Sequence, residues 1–245
     1  MYCESPGVTK AHVFAESFTK LFDDANDPRE HVVRHDYTDP STGDERVLKR
    51  SRTFALKTRK VCRGCNGGWL GELEENVVQT LRRFAENTPF RLRGEEQETL
   101  ALWAFCATLH GISLTAVEDE RFAAPELAHE VYATRRPSAG TQIWLGANSH
   151  GEMASFSSHS LVLPSSVRGG QAFGASLSFG YGNVHVIHHG VTHRRIQLRH
   201  ELHRAFKQTW PVRGDVAWPP RVVARVRDLS PVALMIGANS AWVGA

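Results

Sequence analysis

Apolar residues recur at helical spacing after residue 68. Intervals of three and four positions place them on one face of a helix, the pattern of a helix that packs against a core. These positions are Leu70, Leu73, Val77, Leu81 and Phe84. Two glycines stand just before the pattern and allow a tight turn there. The sequence therefore predicts a core-facing helix that begins after residue 68.

The same pattern predicts further elements along the chain. Two more helices are expected, at about 95–115 and 125–134, and the chain becomes strand-like from 141 onward. Expected strands are "TQIWLGA" (141–147), "SHSLVLP" (158–164), "NVHVIHHG" (183–190), "RVVARV" (221–226) and "ALMIGA" (233–238). The segment "GGQAFGASLSFGYG" (169–182) is interpreted as turns within a sheet, and a short helix is expected within 197–211. The predicted fold class is α+β.

The first 60 residues differ from the rest of the chain. They are predicted to be short extended pieces around a long polar loop rich in Asp, Pro and Gly. The first predicted helix follows this part and is broken by "NTPFRLRG". We therefore expect one module over 1–88 and a second domain of helices and an antiparallel sheet over 89–245.

Composition excludes several classes of protein. The chain has 245 residues, of which 41% are hydrophobic and 22% charged, enough to bury a core. It has no apolar run long enough to span a bilayer, and its start lacks the pattern of a signal peptide. We expect no membrane partner and a cytoplasmic location. A formal net charge of +3 does not by itself argue for nucleic acid.

Positive charge is concentrated between residues 46 and 63, where the chain has no acidic residue. A solvated strand pair would explain this run, and so would an edge that contacts phosphates. The run ends within a cysteine motif, which favours the second explanation. The nucleic-acid-binding candidates are Lys57, Arg59, Lys60 and Arg63.

The segment "KVCRGCNGGWLGELE" (60–74) contains a Cys-x-x-Cys pair, Cys62 and Cys65. Such a pair presents two thiolates to one ion, and in a reducing compartment it favours metal over a disulfide. Cys3 is the candidate third ligand of a structural Zn²⁺. Cys106 lies in the apolar run "LALWAFCATLHG" and is expected in the core.

Groups of histidines are weaker candidates for metal sites than the cysteines. His185, His188 and His189 are close in sequence, and His200 and His203 would share one face of a helix. The chain has 13 histidines, so we expect these to be ordinary surface or core residues.

Cys3, the segment "VTKAHVF" with His12, and the motif "VCRGCNGGWLGELE" together resemble the zinc-stapled members of the HNH endonuclease superfamily. The resemblance covers roughly residues 3–80. It implies a ββα-metal module, with a zinc knuckle and a second divalent ion, Mg²⁺ or another, held against the scissile phosphate. It also implies a bacterial or phage type of endonuclease that hydrolyses DNA.

The resemblance assigns roles to two residues. His12 would be the general base that takes a proton from the attacking water, because imidazole titrates near neutral pH. Asn66 would be a ligand of the catalytic ion, although it could instead cap a helix.

The chain departs from the family pattern at three places. Ala11 stands where many relatives carry a metal-binding carboxylate, with Glu16 as a possible replacement, and the middle motif position falls near Lys57. Cys3 would be the second cysteine of the first zinc pair, and its mate would stand at position 0. We expect either that the start truncates this knuckle or that the ligand is lost. The alternative functions are a zinc-stapled nucleic-acid-binding protein without catalysis and a structural or partner-binding protein.

Overall fold

The computed structural model describes residues 2–3, 7–13, 36–38, 45–47, 57–115, 125–149, 153–160, 173–190, 194–195, 204–223 and 243–244. The architecture below is that of these residues. They form an α+β fold, as the sequence predicts.

A two-stranded antiparallel ribbon lies in the first part of the chain. Strand β1 (Val8–His12) pairs with β4 (Lys57–Cys62), with an irregular register after Thr9. Between them in sequence, β2 (Asp36–Thr38) and β3 (Glu45–Val47) form their own antiparallel pair. The ribbon has a buried set of side chains and an exposed set, but β4 does not alternate strictly, because Arg59 and Lys60 are both exposed where the register is irregular.

Two helices follow the ribbon directly. The short helix α1 (Arg63–Gly67) continues from β4, and α2 (Trp69–Ala85) follows after one residue. All five apolar positions that predicted α2 are buried along it. The first predicted helix is therefore confirmed, and the described order of this region is strand, strand, helix.

Helix α3 (Gly94–Thr115) lies at the centre of the fold, after the short strand β5 (Phe90–Leu92). Residues 100–112 are all buried, so the helix is covered on every side. It contacts α2, the ribbon strand β4 and several strands of the main sheet. Helix α4 (Pro125–Thr134) agrees with the third predicted helix.

The main sheet has five antiparallel strands. Along the chain they are β6 (Thr141–Ala147), β7 (Met153–Ser160), β8 (Phe173–Gly180), β9 (Gly182–His188) and β11 (Phe206–Trp210), and their order in the sheet is β11-β6-β9-β8-β7. Two smaller pairs join β12 (Val216–Trp218) to β5 and β10 (Arg194–Arg195) to β13 (Val243–Gly244).

Aromatic side chains join α3 to this sheet. Phe105 stacks on Phe173 with ring centroids 6.2 Å apart, and Trp103 meets Phe179 edge-on at 5.9 Å. A side chain at position 111 would overlap the Phe156 ring. Glycine at 111 therefore allows α3 to approach β7 closely.

The structure corrects four predictions of secondary structure. The segment 169–182 is not a set of turns, because it contains β8, an eight-residue strand buried along its whole length. The helix expected within 197–211 is wrong over 206–210, where the chain pairs with β6 as β11. The strand expected at 158–164 instead starts at 153. Residues 221–223 are not in a strand, and 233–238 lie outside the described residues.

One apolar core runs through the described residues. It includes Ala11 and Val61 of the ribbon, Phe84 of α2, and Leu177 and Val184 of the sheet. The core thus crosses the predicted boundary at 88–89, and the division into two domains stays a prediction. Among the described helices, none combines the length and apolar character needed to cross a membrane.

Candidate metal centre

Three cysteine sulfurs converge where the N-terminal arm, β4 and α1 meet. Cys3 Sγ lies 3.2 Å from Cys62 Sγ and 3.5 Å from Cys65 Sγ. The three sulfurs all lie within 4.8 Å of one another, and the four cysteines of the chain form no disulfide. The structure therefore brings together the three cysteines that the sequence singled out as metal ligands.

The turn from β4 into α1 holds two of these sulfurs in place. Cys62 is the N-cap of α1, and its sulfur accepts a hydrogen bond from the Cys65 backbone N–H at 3.3 Å. The Arg63 N–H donates to the carbonyl oxygen of Gly7 at 3.2 Å, which ties the turn to β1. These bonds fix the two cysteines of the pair on the same side of the turn.

The donor set fits a thiophilic ion. Zinc binds thiolates at about 2.3 Å, which places the sulfurs of a tetrahedral site about 3.8 Å apart. The separations of Cys3 Sγ from the other two sulfurs are slightly shorter than this, and all three sulfurs lie within 4.8 Å of one another, so small shifts suffice to surround an ion. Within the described ranges, no fourth His, Cys, Asp or Glu side chain joins the group. The group can hold a metal ion, and Zn²⁺ is the ion that we propose.

Burial affects the thiols of this region. It is the main cause that raises the pKa of Cys65 to about 12, with hydrogen bonds to Cys3 and Cys62 adding to it. A thiol with so high a pKa keeps its proton at neutral pH unless a cation replaces the proton. Metal binding at this centre should therefore release protons.

Aromatic rings pack beside the N-terminal arm that carries Cys3. Tyr2, next to Cys3, meets the Trp69 ring edge-on with centroids 5.2 Å apart. The Arg135 guanidinium lies 4.3 Å from the centre of the Trp69 ring and 4.5 Å from that of Tyr132. These contacts pack the N-terminal arm against α2 and α4.

Cys106 stands apart from the three cysteines. Its side chain is buried in α3, and burial raises its pKa to about 12. The prediction that it is a core residue is confirmed.

His12 is the last residue of β1 and lies opposite Lys57 of β4. It is half-buried, and its carbonyl oxygen accepts a hydrogen bond from His110 Nδ1 at 3.2 Å. Because side chains alternate along a strand, His12 and Ala11 point to opposite faces of the ribbon. Ala11 is buried in the core, so a carboxylate at that position would be desolvated.

Asn66 is half-buried in α1. Its alternative role as a helix cap is wrong, because Cys62 caps α1 and Gly68 precedes α2 without a side-chain cap. Among the described residues, no group of three or more His, Cys, Asp or Glu surrounds His12 or Asn66. Glu16 lies outside the described residues. The site expected for a catalytic ion is therefore not assembled by the described side chains, and Asn66 as its ligand stays a prediction.

Cationic side chains cover the outer face of the ribbon. All four nucleic-acid-binding candidates, Lys57, Arg59, Lys60 and Arg63, are exposed. Lys10 of β1 is also exposed on this ribbon, and sequence reasoning missed it. Its position is opposite the basic stretch of β4, a proximity that only the register of the two strands reveals. The described part of the ribbon contains no acidic residue.

The histidines of β9 do not form a metal site with one another. His185 points towards Phe206, with ring centroids 4.8 Å apart, while His188 stacks on Phe173 at 5.2 Å. Residues 185 and 188 are three positions apart and so lie on opposite faces of the strand. Both side chains are buried, as is His189, which agrees with the expectation of core residues. His200 and His203 lie outside the described residues.

Comparisons with models of protein families, with curated proteins and with solved structures give no match for this chain.

Proposed function

We propose that this chain is a zinc-stapled endonuclease of the HNH type that hydrolyses DNA. The observation that carries the proposal is the convergence of Cys3, Cys62 and Cys65 where the two-stranded ribbon meets the following helix. This arrangement agrees with the ββα order that the sequence resemblance implies. The metal would hold the arm, the ribbon and the helix together.

The ribbon supplies the surface for the substrate in this proposal. Five exposed cations on the ribbon and the turn after it can contact phosphates, and contacts of this kind release counterions and supply affinity that does not depend on sequence. They are Lys10, Lys57, Arg59, Lys60 and Arg63. We infer DNA as the partner on this basis together with the resemblance.

His12 is the proposed general base. Its place at the end of β1, opposite Lys57, puts an imidazole beside the cationic face. There it would take the proton from the water that attacks the phosphorus. The described residues do not assemble a site for a catalytic ion, so no step of the reaction is assigned to one.

A zinc-stapled protein that binds nucleic acid without cutting it is the second candidate. Two observations favour it, namely the burial of Ala11 and the lack of a second metal-binding group among the described His, Cys, Asp and Glu side chains. Both candidates share the cysteine centre and the cationic ribbon, and they differ only in whether His12 takes part in chemistry.

A nicking assay separates the two candidates. Supercoiled DNA is incubated with the zinc-loaded protein and added Mg²⁺ or Mn²⁺, and His12→Ala is compared with the native chain. We expect His12→Ala to cut at least about 100-fold more slowly, because a general base contributes roughly that factor or more. His129→Ala is the matched control, because His129 is exposed on α4, outside the ribbon.

Each outcome has a clear meaning. Equal cutting by the native chain and by His12→Ala would remove His12 from the mechanism. No cutting by the native chain, combined with salt-dependent binding of the same DNA, would establish the second candidate.

A further inference from the structure

Two hydrogen bonds connect Tyr2, the neighbour of Cys3, to the backbone of His12 through His110. The Tyr2 hydroxyl lies 3.1 Å from His110 Nε2, and His110 Nδ1 lies 3.2 Å from the carbonyl oxygen of His12. A carbonyl oxygen can only accept, so Nδ1 carries the proton. Nε2 is then the acceptor, and the Tyr2 hydroxyl donates to it. The two bonds together require one tautomer of His110.

Burial keeps this arrangement in one protonation state. Tyr2 and His110 are 1% and 4% exposed, so water cannot replace the bonds between them. Burial also lowers the pKa of His110 to about 4, which leaves the ring neutral at pH 7. A neutral ring with one donor and one acceptor matches its two partners.

Tyr2 links these hydrogen bonds to the metal centre. Tyr2 is adjacent to Cys3, and its ring packs edge-on against both Trp69 and His110, with centroids 5.2 and 5.6 Å away. Trp69 begins α2, four residues after Cys65. An ion bound by Cys3 would therefore also restrain Tyr2.

The turn of α3 that carries His110 also contacts the ribbon near His12. The Ser113 hydroxyl donates to the carbonyl oxygen of His110 at 2.7 Å and lies 2.9 Å from Thr58 Oγ1. Thr58 pairs with Ala11 in the ribbon. Residues 110–113 thus contact both β1 and β4 at the end that carries His12.

We propose that His110 is a positioning residue, and that metal binding at Cys3 fixes the end of β1 through Tyr2 and His110. In the metal-free protein Cys3 is held by hydrogen bonds between thiols, to Cys62 and Cys65, which are weaker than bonds from a metal ion to thiolates. The Tyr2–His110 bond is then weaker, and the backbone of His12 is less well fixed. The effect on catalysis rests on the proposed function, whereas the effect on the backbone does not.

The test compares two variants that break the bond between Tyr2 and His110. Tyr2→Phe also removes the hydrogen bond between the hydroxyl and the Cys106 thiol, which His110→Asn keeps. Tyr2→Phe removes the hydroxyl and keeps the ring contacts, and His110→Asn can still donate to the His12 carbonyl while losing the acceptor for Tyr2. Tyr181→Phe is the matched control, because it removes a hydroxyl from a half-buried tyrosine that follows β8. Zinc affinity is measured by competition with a chromophoric chelator, and backbone amide hydrogen exchange is measured with and without saturating zinc.

We expect zinc to slow exchange at residues 12–13 of the native chain by at least about tenfold. In Tyr2→Phe and His110→Asn this slowing is lost at saturating zinc, while residues 58–61 keep it because Cys62 and Cys65 tether β4 directly. The zinc affinity of Tyr2→Phe should fall about tenfold, the low end for residues that support metal ligands. Tyr181→Phe should behave as the native chain.

The proposal is overturned if Tyr2→Phe and His110→Asn keep the native slowing at residues 12–13, or if zinc has no effect there in the native chain. Cleavage is read separately on the same variants. If the native zinc-loaded protein does not cut DNA, the proposed function fails, and the exchange result still decides whether His110 links the metal to β1.

Discussion

The cysteine centre and the histidines of β9 both contain potential metal ligands. The side chains converge in the first region and diverge in the second. The three cysteine sulfurs meet at one point although Cys3 is 59 residues from Cys62. His185 and His188 are only three residues apart but face opposite sides of a strand. Proximity in sequence therefore says little about a metal site without the geometry of the element that carries the ligands.

The local environments differ in the same way. At the cysteine centre a backbone N–H is directed at a sulfur, as is expected for a group that becomes a thiolate. At His185, both ring nitrogens are buried without a hydrogen-bond partner. Burial lowers the pKa of His185 to about 3, so the ring stays neutral. The first region is suited to binding a cation and the second to exclusion of charge.

Removal of the metal should have the largest effect on the free energy of unfolding. We expect saturating zinc to raise the free energy of unfolding by about 4 kcal/mol when its concentration is a thousand times the dissociation constant. Cys65→Ser should lose most of this increase. Cys106→Ala should keep it, although the cavity in the core lowers stability at every zinc concentration. Urea unfolding with and without zinc measures both, and an equal zinc effect in the two variants would contradict the assignment.

The second-largest effect should be the loss of stability in acid that is caused by His185. The pKa of His185 in the folded protein is about 3, below the ordinary value of 6.5, so the unfolded chain takes up a proton that the folded chain does not. Stability is therefore lost as the pH falls below 6.5, by about 2 kcal/mol at pH 5 for this residue.

His185→Leu isolates this contribution. At pH 7 the free energy of unfolding should be unchanged or higher by about 1 kcal/mol, because an apolar side chain leaves no unsatisfied polar atom. At pH 5 the variant should exceed the native chain by about 2 kcal/mol more than at pH 7. Urea unfolding at both pH values measures the difference. A pH dependence identical to that of the native chain would show that His185 is solvated or charged in the folded state.

Replacement of Lys10 should have the smallest effect, on the salt dependence of DNA binding. Loss of one phosphate contact should reduce the slope of log affinity for duplex DNA against log salt by about 0.9. Lys10→Gln should show this reduction in a binding titration at several salt concentrations. Arg82→Gln, on the exposed side of α2, is the control and should leave the slope unchanged. Equal slopes for Lys10→Gln and the native chain would remove β1 from the proposed DNA surface.

Features that depend on local spacing could be predicted from the sequence. The stripe of α2, the run of α3, the strand β6 and the Cys62–Cys65 pair all follow from residues close together in the chain. Cys3 followed by elimination, because Cys106 lies in an apolar run, but only the fold shows that the sulfur of Cys3 meets the pair.

Features that depend on contacts distant in sequence were missed. The glycine and serine content of β8 predicts turns, yet β8 is a strand buried on both faces, where small residues fit. β11 carries part of a helical pattern, but pairing with β6 determines its structure. The contact of Tyr2 with His110 and the position of Lys10 opposite the basic stretch of β4 arise from the fold and have no local signal.

Titration with Co²⁺ tests the central claim most directly, because thiolate ligation of this ion gives charge-transfer absorption. We predict saturation at one Co²⁺ per chain and displacement of Co²⁺ by zinc. The absorption should be lost or markedly shifted in the variants Cys3→Ser, Cys62→Ser and Cys65→Ser. It should be unchanged in Cys106→Ala. Absence of thiolate absorption in the native chain, or its full retention in the Cys3→Ser, Cys62→Ser and Cys65→Ser variants, would contradict the assignment of the three cysteines as a metal centre.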